Sequence, residues 1–187
     1  MRFRGAVLAL VAGSLVAPVG LTAQDRWDEA EARISRLPLS EFSDLPATVR
    51  AAFESSGCLI PQAWGSEDAH NVISGSFAAT GQTDWAALCS VGGSSSVVVV
   101  WGGEVSCPSP VAPASSDRAY LQAMGVDGIL FSRGIAAVRP DPTNWSFPAT
   151  LGAGVIEHDA LSDAFFEKGA TAYYCRSGEW LEFTSDE

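Results

Sequence analysis

The stretch from Asn71 to Gly103, NVISGSFAATGQTDWAALCSVGGSSSVVVVWGG, restricts the possible folds more than any other part of the chain. It holds three runs rich in β-branched or aromatic residues, Val72 to Phe77, Trp85 to Val91 and Ser96 to Trp101, separated by Gly and polar clusters. The last run, Val97 to Trp101, is apolar without alternation, as expected of a strand covered on both faces. The first sets Val72, Ser74 and Ser76 against Ile73, Gly75 and Phe77, so one face is the more apolar. Three such strands joined by short loops predict an antiparallel meander.

The N-terminus bears on export. Met1-Arg2-Phe3-Arg4 is a short basic region, Gly5 to Leu15 is apolar, and Leu21-Thr22-Ala23 offers a small-residue site before Gln24. That order predicts a signal peptide over residues 1–23 and a single α+β domain over 24–187, secreted or periplasmic. The apolar run is too short to span a bilayer, and no later run approaches the ~20 apolar residues a spanning helix needs. Of the chain's 11 basic and 22 acidic residues, Arg2 and Arg4 leave with the leader. The remaining negative charge argues against nucleic acid and anionic membrane surfaces as partners, both of which attract basic patches.

Four cysteines remain, Cys58, Cys89, Cys107 and Cys175, with no C-x-x-C among them. In an exported chain an even number predicts two disulfides, and three connectivities are open. The preferred pairing is Cys58–Cys89 and Cys107–Cys175. The first ties an N-terminal helical segment to the second strand of the meander. The second ties the loop after Trp101 to a C-terminal hairpin. Zinc is the alternative, but structural zinc cysteines come in closely spaced pairs.

Around the meander the elements read in order. Asp25 to Arg36 has Trp27, Ala30 and Ile34 at helical spacing, and Pro38 stops it. Leu45, Val49 and Phe53 repeat every four residues after Pro46, predicting a second helix that Gly57 ends. Ala63 to His70 reads as a loop. Asp117 to Met124 reads as a short helix, Gly128 to Phe131 and Gly134 to Val138 as strands, and Asp159 to Lys168 as a short helix or loop. Ala170 to Cys175 and Glu179 to Phe183 form a hairpin about Arg176-Ser177-Gly178, with a fraying tail over 184–187. The fold class expected is therefore α+β, mainly antiparallel sheet, with a meander, a C-terminal hairpin, N-terminal helices and two disulfides.

The segment Phe77-Ala78-Ala79-Thr80-Gly81-Gln82-Thr83-Asp84-Trp85-Ala86 resembles the FG-GAP repeat of integrin-type β-propellers, which runs aromatic, loop, Gly, two residues, Asp, apolar. In that family the loop carries several aspartates whose oxygens hold calcium. Here Ala78, Ala79 and Thr80 stand at the expected ligand positions and Asp84 alone remains. A second stretch, Glu157-His158-Asp159-Ala160-Leu161-Ser162-Asp163, resembles the same loop, with Asp163 corresponding to Asp84. The resemblance makes Glu157, Asp159 and Asp163 the candidate metal ligands and calcium the ion they would hold, because calcium takes six to eight oxygens; apart from that resemblance no cofactor is expected. The competing reading makes Glu157 and Asp159 the acidic start of a helix. More broadly, Gly57 to Gln62, Thr83 to Cys89 and the C-terminal Trp180-Leu181 hairpin resemble a group of uncharacterised secreted bacterial proteins. That likeness implies a shared fold and export, and no activity.

His70 and His158 are each flanked by acids, Glu67 and Asp68 in one case, Glu157 and Asp159 in the other. Brought together they would ligate zinc and activate water. G-x-S-x-G, H-E-x-x-H and a phosphate-binding loop are missing from the sequence. The function expected is an exported, non-catalytic module that binds a protein or a small-molecule ligand, or acts as an inhibitor. The alternatives are a metal-dependent hydrolase built on His70 and His158, and a piece of a cell-surface assembly that uses exposed strand edges.

Overall fold

The computed structural model describes residues 22–65, 67–140, 145–146 and 156–185. Most of the expected leader lies outside these residues, as does the end of the C-terminal tail.

Two α-helices come first. In the uncleaved chain helix α1, Ala23–Ala32, opens on a capping box in which Thr22 and Asp25 exchange side-chain and backbone hydrogen bonds, which cleavage before Gln24 would remove. It ends four residues before the Arg36 expected from periodicity, because strand β1, Arg36–Leu37, pairs with β2, Ile60–Pro61. Helix α2, Ala47–Ser55, buries Val49 and Phe53 and starts after Pro46. Gly57 ends it with φ +70, and its N–H reaches the carbonyl of Glu54. The Arg50 guanidinium donates to the carbonyls of Leu39, Phe42 and Leu45, fixing the turn that precedes the helix.

The expected three-stranded meander forms, with its first strand ending at Gly75, its third starting at Ser94 and a short fourth strand added. Strands β3 (Val72–Gly75), β4 (Asp84–Val91), β5 (Ser94–Val100) and β6 (Ser115–Ser116) make a four-stranded antiparallel sheet in chain order. Both faces of β4 and β5 are covered. Ala86, Leu88, Val97 and Val99 point into the main core with Phe77, Leu121, Phe131 and Leu161. Ala87, Cys89, Val98 and Val100 meet Leu39, Leu45, Val49, Phe53 and Ile60 on the other side. The lack of alternation in the valine run follows from this double cover.

A short ribbon follows, β7 (Leu121–Ala123) with β8 (Ile129–Phe131). Then β9 (Arg133–Val138), β10 (Ala160–Phe165), β11 (Gly169–Arg176) and β12 (Glu179–Ser185) form a second four-stranded antiparallel sheet, again in chain order. Three expectations are corrected. Asp117 to Met124 is a 3-10 turn, Asp117–Tyr120, running straight into β7. Asp159 to Lys168 is mostly the strand β10. Leu161 and Phe165 sit four apart, which suits one face of a helix but equally one face of a strand, where side chains repeat every two residues. Thr184 and Ser185 do not fray, because they pair with Thr171 and Ala170.

Both preferred disulfides are present, Cys58–Cys89 and Cys107–Cys175, which excludes zinc at the cysteines. They close loops of 31 and 68 residues. By chain entropy each stabilises the fold by roughly 3 to 5 kcal/mol. Asn71 joins the two sheets. Its side-chain amide donates to the carbonyls of Pro61 and Arg133 and accepts from the N–H of Ile135.

Candidate functional site

The carboxylates singled out in the sequence have separate partners. Asp84 is fully buried at the start of β4. One oxygen accepts from the N–H groups of Phe77 (2.9 Å) and Ala78 (3.2 Å). The other accepts from the Gln82 amide (2.6 Å) and the N–H of Gly102 (2.9 Å). All the acceptor capacity of this carboxylate is directed at the chain, so Asp84 holds the loop itself rather than presenting oxygens to an ion. Gly102 has to be glycine for that approach, since a Cβ there would lie 1.9 Å from the Thr83 carbonyl oxygen.

Asp163 sits on β10 on the same side as Leu161, facing the interior. Arg133 meets it with two parallel hydrogen bonds, 2.8 and 2.6 Å. Asp159 accepts from the N–H of Ser76 (3.0 Å) and from Arg139 (3.1 Å). Glu157 lies beside the Tyr174 hydroxyl, which accepts from its N–H at 3.2 Å. Glu157, Asp159 and Asp163 are therefore not converged on one point. Among the described residues no group of three or more His, Cys, Asp and Glu side chains is placed to hold a metal ion.

The histidines are also apart in role. His70 accepts the Ala63 N–H on Nε2 (2.7 Å), so Nδ1 carries the proton and donates to the Asp68 carbonyl (3.0 Å). Gln62 adds a reciprocal pair of bonds to the His70 backbone. His70 thereby clips the ends of the 63–70 loop together. His158 stacks on Tyr174 with ring centroids 4.2 Å apart and donates from Nδ1 to the Asp159 carbonyl.

The loop clipped by His70 forms one wall of a cleft of about 620 Å³. Helix α1 and the residues after it form the second wall, and β8 with the turn before it, residues 127–131, the third. The floor is core: Ala30, Ile34, Ala63 and Phe131 are all buried. The charged lining residues are Arg33, Glu67, Asp68 and Asp127. Trp64 also lines it, anchored by its own N–H on the Phe131 carbonyl (2.9 Å). The Trp64 indole nitrogen is enclosed and has no hydrogen-bond partner among the described residues. What Trp64 shows the cleft is therefore ring carbon.

Sequence reading missed this cleft. Its walls come from residues 30–37, 62–69 and 127–131, and no local pattern links them. The one signal available was a tryptophan inside the otherwise polar loop Ala63 to His70, where an aromatic side chain has no core of its own to fill. Comparison with protein-family models, with curated proteins and with solved structures finds no match, so the cleft has to be interpreted from its own geometry.

Proposed function

We propose that this protein is an exported binding module that holds a small organic ligand in the cleft between α1, the 63–70 loop and residues 127–131. The observation that carries this reading is the cleft itself. Its volume of about 620 Å³ falls in the range of small-molecule sites, and it joins an apolar floor to a few charged groups at the mouth. The leader-like N-terminus and the two disulfides support folding in an oxidising compartment. Among the described residues no helix is long and apolar enough to cross a membrane.

The test is a thermal-shift screen of the oxidised protein against a small-molecule library, repeated on Ala69→Trp. Ala69 is exposed and lines the cleft, so a tryptophan there fills the mouth without entering the core. Compounds that bind the folded state in the cleft raise the melting temperature of the wild type and not of the plugged variant. Stabilisation that survives the plug, or a library that stabilises neither protein, overturns the reading. Export is checked separately by the mass of the protein recovered from a secreting host, expected to begin at Gln24.

A further inference from the structure

We infer that the cleft selects an organic cation, an ammonium group carried on an apolar body; this rests on the binding reading above and specifies its ligand class. Three observations converge. Glu67 and Asp127 line the cleft beside Asp68, with one guanidinium, Arg33, among the lining residues. Trp64 lines the cleft with its only side-chain polar atom shielded, so it offers aromatic carbon, and aromatic rings attract cations through their quadrupole. The floor of Ala30, Ile34, Ala63 and Phe131 accepts an apolar body and offers it no hydrogen bond from a side chain.

The spread of the charge decides between kinds of cation. The carboxylates are not close enough together, among the described residues, to form a set of metal ligands. A bare divalent ion needs such a set to replace its water. A large, weakly hydrated ammonium ion does not, and gains from diffuse negative potential next to an aromatic surface. Glu67 and Asp127 are exposed, so they act at the mouth without first giving up their own solvation. Without Arg2 and Arg4 the 11 basic residues become 9, against 22 acidic ones, a balance that attracts cations and repels anions.

The experiment uses three probes with one phenyl body and different heads: phenethylammonium, 2-phenylethanol and 3-phenylpropionate. Binding to the oxidised protein is followed by the indole N–H resonance of Trp64, assigned by its loss in Trp64→Phe. The cation is expected to shift that resonance with a dissociation constant at least about tenfold below that of the alcohol, and the carboxylate to leave it unmoved. Raising salt from about 20 mM to about 500 mM should weaken only the cation. The double variant Glu67→Gln, Asp127→Asn should keep its melting temperature and lose the preference. Equal binding of the carboxylate, or a preference that persists in the double variant, overturns the cation inference and leaves the binding cleft standing. A Trp64 resonance unmoved by all three probes overturns the cation inference as well. Library compounds stabilising the wild type but not Ala69→Trp would still uphold the cleft in that case.

Discussion

Arg133 and Asp163 form a two-pronged ion pair in the interior, with Nε–Oδ1 at 2.8 Å and Nη2–Oδ2 at 2.6 Å. The Arg133 side chain is 3 % exposed and that of Asp163 11 %. The other guanidinium arm donates to the carbonyl and hydroxyl of Ser95, so the pair ties β10 of the second sheet to β5 of the first. Tyr120 lies under the guanidinium, 4.2 Å from it. Burial opposes the charge on Arg133, but the hydrogen bonds and charge of Asp163 outweigh it, leaving its pKa above the ordinary arginine value.

Removing one partner leaves the other charged and buried. Asp163→Ala is expected to destabilise the protein by about 3 to 5 kcal/mol in denaturant titration, and Arg133→Met by a similar amount. The double variant Arg133→Met, Asp163→Leu should recover most of that loss, since an apolar pair leaves no uncompensated charge. Equal losses in the single and double variants would show that packing, not charge pairing, governs the site.

Calcium would have to draw Asp163 away from Arg133 in order to use Glu157, Asp159 and Asp163 together. The melting temperature after chelator treatment is therefore expected to be the same with and without millimolar calcium. A rise that disappears in Asp163→Asn would instead establish the calcium loop that the FG-GAP resemblance implies.

Asp84 gathers three backbone donors and one side-chain amide on a single buried carboxylate. Asp84→Ala strands the N–H groups of Phe77, Ala78 and Gly102 at about 1 to 3 kcal/mol each. A loss above about 3 kcal/mol is expected. Gly102→Ala should reproduce much of it by pushing the same loop off the Thr83 carbonyl, and urea midpoints of the two variants check both.

Tyr173 supplies a pH test. Burial, and after it the negative charges of Asp163 and Glu182, push its phenol up to about 12. An unfolded tyrosine ionises near pH 10, so above that pH the unfolded chain loses a proton that the folded one still holds. The stability is complete below about pH 10 and falls as pH rises toward 12. Tyr173 is partly exposed, which softens the slope. Melting temperatures from pH 8 to 12 should decline less steeply in Tyr173→Phe than in the wild type.

His70 is expected to act on the loop rather than on chemistry. His70→Ala removes the acceptor of the buried Ala63 N–H and should lower stability by about 1 to 3 kcal/mol. Hydrogen exchange at the Ala63 amide should speed up, while exchange in β10 and β11 changes only with global stability. Unchanged protection at Ala63 would mean that the Gln62 bonds alone hold the loop.

Much of the architecture was legible in the chain. The meander and the C-terminal hairpin announce themselves through β-branched runs cut by Gly and polar turns. Leu45, Val49 and Phe53 mark α2 by their spacing, and four cysteines behind a leader-like N-terminus imply two bridges. These signals are local, because propensity and periodicity act over a few neighbouring residues. Leu161 and Phe165 show the limit, since a spacing of four serves a strand as well as a helix until a pairing partner decides. Asp163 looked like a ligand because its spacing from Glu157 and Asp159 resembles a calcium loop. It became half of an ion pair because β9, thirty residues earlier, brought Arg133 beside it. The cleft belongs to the same class of fact. Helix α1, strand β8 and the loop that carries Trp64 are far apart in the chain, and only the packing of the two sheets around one core sets them face to face. What a buried charge or a loop tryptophan does depends on which distant segment folds against it, and that is decided by tertiary packing.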